Sequence, residues 1–195
     1  MLLVSKWRND TMNLPNKLTL LRILLVPVFV VLFEMGIYFA ALVVFCAASV
    51  TDALDGNIAR KRGLVTNFGK LMDPLADKVL VMSAMLCLVS SGLTPSWVVI
   101  VILAREFLVT SLRLIAVGEG IVIAADRWGK LKTIAQMSWI IAALLLLSTE
   151  SFLPDTMWTF VAWATILLMW ASLILSVMSG FNYCYKNRDI FLRDM

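Results

Sequence analysis

Long apolar runs separated by short polar breaks organise the whole chain. Six runs approach the roughly 20 residues that a helix needs to cross a bilayer core. They extend from about Leu18 to Phe33, Ile37 to Val50, Leu71 to Val89, Trp97 to Val117, Ile134 to Leu147 and Met157 to Met178. The breaks carry turn chemistry: Gly36; Ser90-Ser91-Gly92 with Pro95; Gly118-Glu119-Gly120; Thr149-Glu150-Ser151 with Pro154. The pattern predicts an all-α, polytopic membrane protein with six transmembrane helices. A single domain should span residues 1–195, with a juxtamembrane segment at 1–17 and a tail at 184–195. The helical pattern of the second run can continue into the polar segment that follows it.

Composition sharpens this picture. Residues of the AVILMFWYC set make up 61% of the 195 residues and only 15% are charged. Soluble domains are roughly half apolar and a quarter charged. The balance argues against an ordinary cytosolic enzyme, a disordered chain and a nucleic-acid-binding module, despite a net charge of +4. The charges also orient the chain. Lys6, Arg8, Lys17 and Arg22 precede or open the first span; Arg60, Lys61, Arg62 and Lys70 separate the second from the third. Arg127, Lys130 and Lys132 separate the fourth from the fifth, and Lys186, Arg188 and Arg193 follow the sixth. The loops on the other side hold no lysine or arginine. The positive-inside rule then puts both termini in the cytoplasm. The opening residues do not read as a signal peptide, because no small-residue cleavage site follows Lys6, Arg8 and Asp10.

There is no histidine, which removes serine–histidine triads and histidine metal sites. The three cysteines, Cys46, Cys87 and Cys184, form no CxxC pair and read as packing residues. Any metal must therefore take oxygen ligands, as magnesium, manganese or calcium does. Such ligands are present where a membrane protein should avoid them. Asp52, Asp55, Asp73 and Asp77 cluster at the cytoplasmic ends of the second and third runs. Three- and four-residue spacings put side chains on one helix face, so Asp52 shares a face with Asp55, and Asp73 with Asp77. Two helices presenting these pairs to each other would gather four carboxylates that repel one another unless cations intervene. Two divalent cations fit, at the spacing that clamps a phosphoryl group. Taken singly, Asp73 could instead be an N-cap with Pro74 as the first helical residue, and Asp52 could pair with a nearby lysine. Four acids together at a membrane surface are harder to explain that way. Gly56 and Gly69 would let a ligand approach the backbone, although Gly69 suits a helix start equally. Arg60 could reach a phosphate or merely anchor the orientation.

As spacing, these residues read D-x2-D-G-x2-A-R-x8-G-x3-D-x3-D, with every fixed position filled: Asp52, Asp55, Gly56, Ala59, Arg60, Gly69, Asp73 and Asp77. This resembles the signature of the CDP-alcohol phosphotransferase family, membrane enzymes with six transmembrane helices. The resemblance implies that Asp52 and Asp73 bridge two divalent metal ions, magnesium or manganese. Asp55 completes one metal site and Asp77 the other, and Asp77 also acts as general base. It places Gly56, Arg60 and Thr66 against the CDP part of a CDP-diacylglycerol donor, with Gly69 beside them and Asn16 and Thr19 near the first helix. It further implies a homodimer in a bacterial inner membrane, with the active site facing the cytoplasm.

Three more segments resemble the bacterial branch of that family that uses glycerol 3-phosphate as acceptor. They are Asn13-Leu14-Pro15-Asn16 with Leu18-Thr19-Leu20-Leu21-Arg22, Ala104-Arg105-Glu106-Phe107, and Gly129-Lys130-Leu131-Lys132-Thr133. The residues themselves favour an anionic acceptor. Arg105 and Arg113, eight residues apart in the fourth run, fall on nearly one helix face, and Lys130 and Lys132 open the fifth. Buried arginines need anions, and arginine matches phosphate oxygens. Glu106 should partner one of these arginines or a neighbouring helix. The lysines could equally be orientation charges. Competing readings are a different acceptor (inositol phosphate, serine or phosphatidylglycerol) or a divalent-cation transporter with the aspartates as its filter.

Overall fold

The computed structural model describes residues 14–62, 67–118 and 127–188. Within its helices, the side chains of 14–18, 52–62, 67–71, 73 and 74 lie outside the described residues. The described residues form six helices and no strand: α1 (Leu14–Glu34), α2 (Tyr38–Arg62), α3 (Asn67–Ser90), α4 (Ser96–Gly118), α5 (Arg127–Thr149) and α6 (Asp155–Lys186). Each contains one of the six apolar runs. Among the described residues, α5 and α6 are both long and apolar enough to cross a membrane.

The glycine breaks end helices as the pattern predicts. Gly36 adopts φ 75° after α1, where Ile37 N–H donates to the Leu32 carbonyl and Gly36 N–H to that of Phe33. This is the Schellman cap, whose left-handed residue favours glycine. Gly92, at φ 77°, plays the same part after α3. α2 runs unbroken through the polar segment to Arg62. α3 begins at Asn67, a full turn and more before Pro74, so Asp73 sits inside a helix and is not its N-cap.

Side-chain contacts fix the packing. Phe29 packs at a tilt against Phe33 of the same helix and Phe45 of α2, with ring centroids 6.2 and 5.8 Å apart, and the Phe45 contact joins α1 to α2. Leu80, Met85 and Leu88 of α3, Val98, Val99 and Ile102 of α4, and Trp139, Ile140 and Leu144 of α5 complete one buried core. α6 packs on α5 and α4. Outside this core lie exposed Leu24, Val31, Leu114, Phe160, Trp163 and Leu167, among many others. So large an apolar exterior is untenable in water and suits lipid. One charge departs from expectation. Arg22 is not a surface orientation charge: it is fully buried, with Nε donating to the Ala48 carbonyl at 3.4 Å. A buried guanidinium needs acceptors, and Ala48, inside α2, supplies one.

Candidate active site

A basic cavity of about 430 Å³ opens between α3, α4 and α5. Lys78 of α3, Arg105 and Arg113 of α4, and Lys130 of α5 all line it, against one carboxylate, Glu106. Four cations around one anion make a site that attracts negative charge. Val109, Thr110, Gly129, Thr133 and Ile134 complete its wall.

Three of these cations are held by their neighbours. Lys78 donates to the hydroxyl of Thr110, which in turn donates to the Glu106 carbonyl one helical turn earlier, at 2.7 Å. Arg105 Nη1 pairs with Glu106 Oε1 at 2.8 Å, and its Nη2 donates to the hydroxyl of Ser179 on α6. Arg113 lies over the ring of Tyr183, 5.7 Å from the centroid, a cation–π contact. Glu106 Oε1 also accepts from Lys132 Nζ at 2.6 Å, so one carboxylate ties α4 to α5.

A second, smaller chamber of about 60 Å³ adjoins the first, lined by Asp77, Val81, Met82, Met85, Lys132, Gln136 and others. Lys78, Glu106 and Thr133 border both spaces. Asp77 is half-buried there and its charge acts on Lys132. A carboxylate able to accept a proton thus stands one side chain away from a cavity able to hold an anion.

Arg105, Arg113 and Lys130 come together in the basic cavity. Lys132 does not join them: its side chain is 5% exposed and its ammonium faces Glu106 and the Asp77 chamber. Lys78, absent from the sequence-level candidates, lines both spaces. Its signal was available, since it directly follows Asp77 at the end of the motif. Thr19 has no exposed surface. The side chains of Asn16, Asp52, Asp55, Gly56, Arg60, Gly69 and Asp73, and all of Thr66, lie outside the described residues. The backbone still places Asp52 with Asp55 on α2, and Asp73 with Asp77 on α3, each pair about one turn apart on helices that pack together.

Residues 12–178 match the model of the family described as CDP-alcohol phosphatidyltransferase. The chain is 44% identical over 190 residues to the CDP-diacylglycerol–glycerol-3-phosphate 3-phosphatidyltransferase of Bacillus subtilis strain 168, covering 90% of this chain and 95% of that one. It is 40% identical over 185 residues to a probable phosphatidylglycerophosphate synthase of Mycobacterium tuberculosis strain H37Rv, covering 91% and 83%. A CDP-diacylglycerol–glycerol-3-phosphate 3-phosphatidyltransferase of Rickettsia typhi is 36% identical over 174 residues, covering 88% and 94%.

Proposed function

The chain belongs to the CDP-alcohol phosphatidyltransferase family, and from that premise we propose that it transfers the phosphatidyl group of CDP-diacylglycerol to glycerol 3-phosphate, releasing CMP. The observation that carries the acceptor is the shared wall between the Asp77 chamber and the four-cation cavity. The phosphate of glycerol 3-phosphate sits among Lys78, Arg105, Arg113 and Lys130. Its free hydroxyl is then directed towards Asp77, which takes the proton. The oxygen attacks the phosphorus that bears the diacylglycerol; the bond to CMP breaks and CMP leaves with the electron pair. A neutral acceptor such as serine would leave this cationic cavity without a counter-charge.

The donor set of Asp52, Asp55, Asp73 and Asp77 is all carboxylate, which fits hard divalent ions such as magnesium or manganese. When bound, such ions neutralise the donor diphosphate and stabilise charge developing during transfer. On this reading all six helices cross the bilayer, both termini face the cytoplasm, and the active site opens at the cytoplasmic headgroup level of the cell membrane. The homodimer implied by the family resemblance belongs to the same proposal. An acceptor series tests it, using detergent-solubilised protein and CDP-diacylglycerol. CMP release should require glycerol 3-phosphate. Equal release with serine, inositol phosphate or phosphatidylglycerol would overturn the acceptor, and no release with any of them would remove the transferase reading.

The cavity cations should govern acceptor affinity separately from donor affinity. Losing one charge-assisted phosphate contact weakens binding by roughly ten- to a hundred-fold. Arg113→Ala and Lys130→Ala should each raise the KM for glycerol 3-phosphate by about that factor and leave the KM for CDP-diacylglycerol nearly unchanged. Kinetics with each substrate varied in turn will show which constant moves.

A further inference from the structure

We propose that Ser179 and Gly180 of α6 are positioning residues for the acceptor: they fix where Arg105 places its guanidinium in the basic cavity. This rests on the reading of that cavity as the acceptor-phosphate site. Neither residue lines the cavity, and both are buried. They act on the substrate only through Arg105.

Gly180 lies inside a helix, where glycine costs about 1 kcal/mol relative to alanine. Its backbone angle does not demand glycine; close packing does. A Cβ at this position would stand 2.8 Å from Arg105 Cγ, and 3.8 Å from both its Cβ and Nε. Carbon atoms rest about 3.5–4.0 Å apart, so the first contact is impossible without movement. Cγ is near the root of the side chain, so any shift there swings the whole guanidinium. The missing side chain at Gly180 is therefore the groove in which the arginine stem lies.

Ser179 controls the other end of the same side chain. Its hydroxyl, 2% exposed as a residue, accepts from Arg105 Nη2, while Glu106 accepts from Nη1 at 2.8 Å. α5 closes behind it: a Cβ at Gly129 would meet Ser179 Oγ at 3.9 Å. The stem is thus set by Gly180 and one arm of the fork by Ser179, both outside the cavity, while Glu106 on its wall holds the other arm. Bidentate recognition of phosphate depends on the aim of the planar fork as well as on its charge. Moving the stem therefore loses affinity even though the positive charge remains.

A double-mutant cycle on the full-length protein in detergent tests this, reading KM for glycerol 3-phosphate, KM for CDP-diacylglycerol and kcat. Gly180→Ala should raise the acceptor KM by about ten-fold, the low end for one charge-assisted contact, with kcat and the donor KM moving far less. In the Arg105→Ala background, Gly180→Ala should add nothing, because the side chain it displaces is gone. A full additional penalty in that background would mean that Gly180 supports the fold alone, and the inference would fall. An unchanged acceptor KM in Gly180→Ala, with Arg105→Ala raising it, would overturn the role of α6 while sparing the acceptor site. An unchanged acceptor KM in Arg105→Ala would remove the acceptor site and this inference with it. Should Gly180→Ala not fold, Ser179→Ala, which introduces no clash, carries the same cycle with the same expected outcomes.

Discussion

Asp77→Asn should lower kcat by about 10²-fold or more, the usual size of a general-base contribution, while the KM for CDP-diacylglycerol changes little. Asparagine keeps the size of the side chain and loses both the negative charge and the ability to take a proton. Asp77 borders the small chamber that shares Lys78, Glu106 and Thr133 with the basic cavity. On the proposed reading it meets the hydroxyl of an acceptor whose phosphate lies among Lys78, Arg105, Arg113 and Lys130. Lys132 pairs with Glu106, and the charge of Asp77 acts on it from the same chamber. A base that must be ionised gives a rate that rises with pH through its own titration. The measurement is kcat as a function of pH for the native chain and the variant. The native profile should show the rising acidic limb and the variant should lose it. Near-native turnover in Asp77→Asn would require a different base.

The sequence carried the helices and the acidic motif because both are local. Gly36 and Gly92 mark helix ends through a backbone conformation that one residue can specify. The spacing of Asp52, Asp55, Asp73 and Asp77 is written in the helical repeat, and α2 and α3 do continue through it. Local periodicity also held a distinction that a charge count passes over. Lys130 and Lys132 are two residues apart, about 200° around a helix. They cannot serve one cavity equally, and Lys132 instead turns to Glu106. Arg22 reads as an orientation charge beside Lys17, yet it is enclosed by α1 and α2. Its burial depends on which residues of α2 come alongside, which no window around position 22 contains. The same holds for Arg105. The run Ala104-Arg105-Glu106 announces a charged group in an apolar helix. That Ser179 and Gly180 hold it is a long-range fact, visible only once α6 packs on α4.

Chelation should abolish the reaction. Exhaustive treatment with EDTA is expected to stop CMP release, and added magnesium or manganese to restore it. Four carboxylates on two adjacent helices cannot stay ionised together at close range without compensating cations, since each charge disfavours its neighbours. Three cations in the described part of the site already have partners: Arg105 and Lys132 pair with Glu106, and Lys78 donates to Thr110. On the proposed reading the CDP-diacylglycerol diphosphate brings still more negative charge to the same place. Its binding beside the aspartates therefore calls for positive charge from solution. Asp52→Asn, Asp55→Asn and Asp73→Asn each remove one negative oxygen ligand and should each depress turnover, with partial recovery at higher metal concentration. That recovery separates a ligand role from a fold defect, because added metal cannot repair a misfolded bundle. Titrating magnesium against CMP release for the native chain and each variant gives the comparison. Full turnover of the native chain after EDTA and dialysis would show that the aspartates work without metal, and the charge argument would then have to be met by Arg60 and the lysines around it.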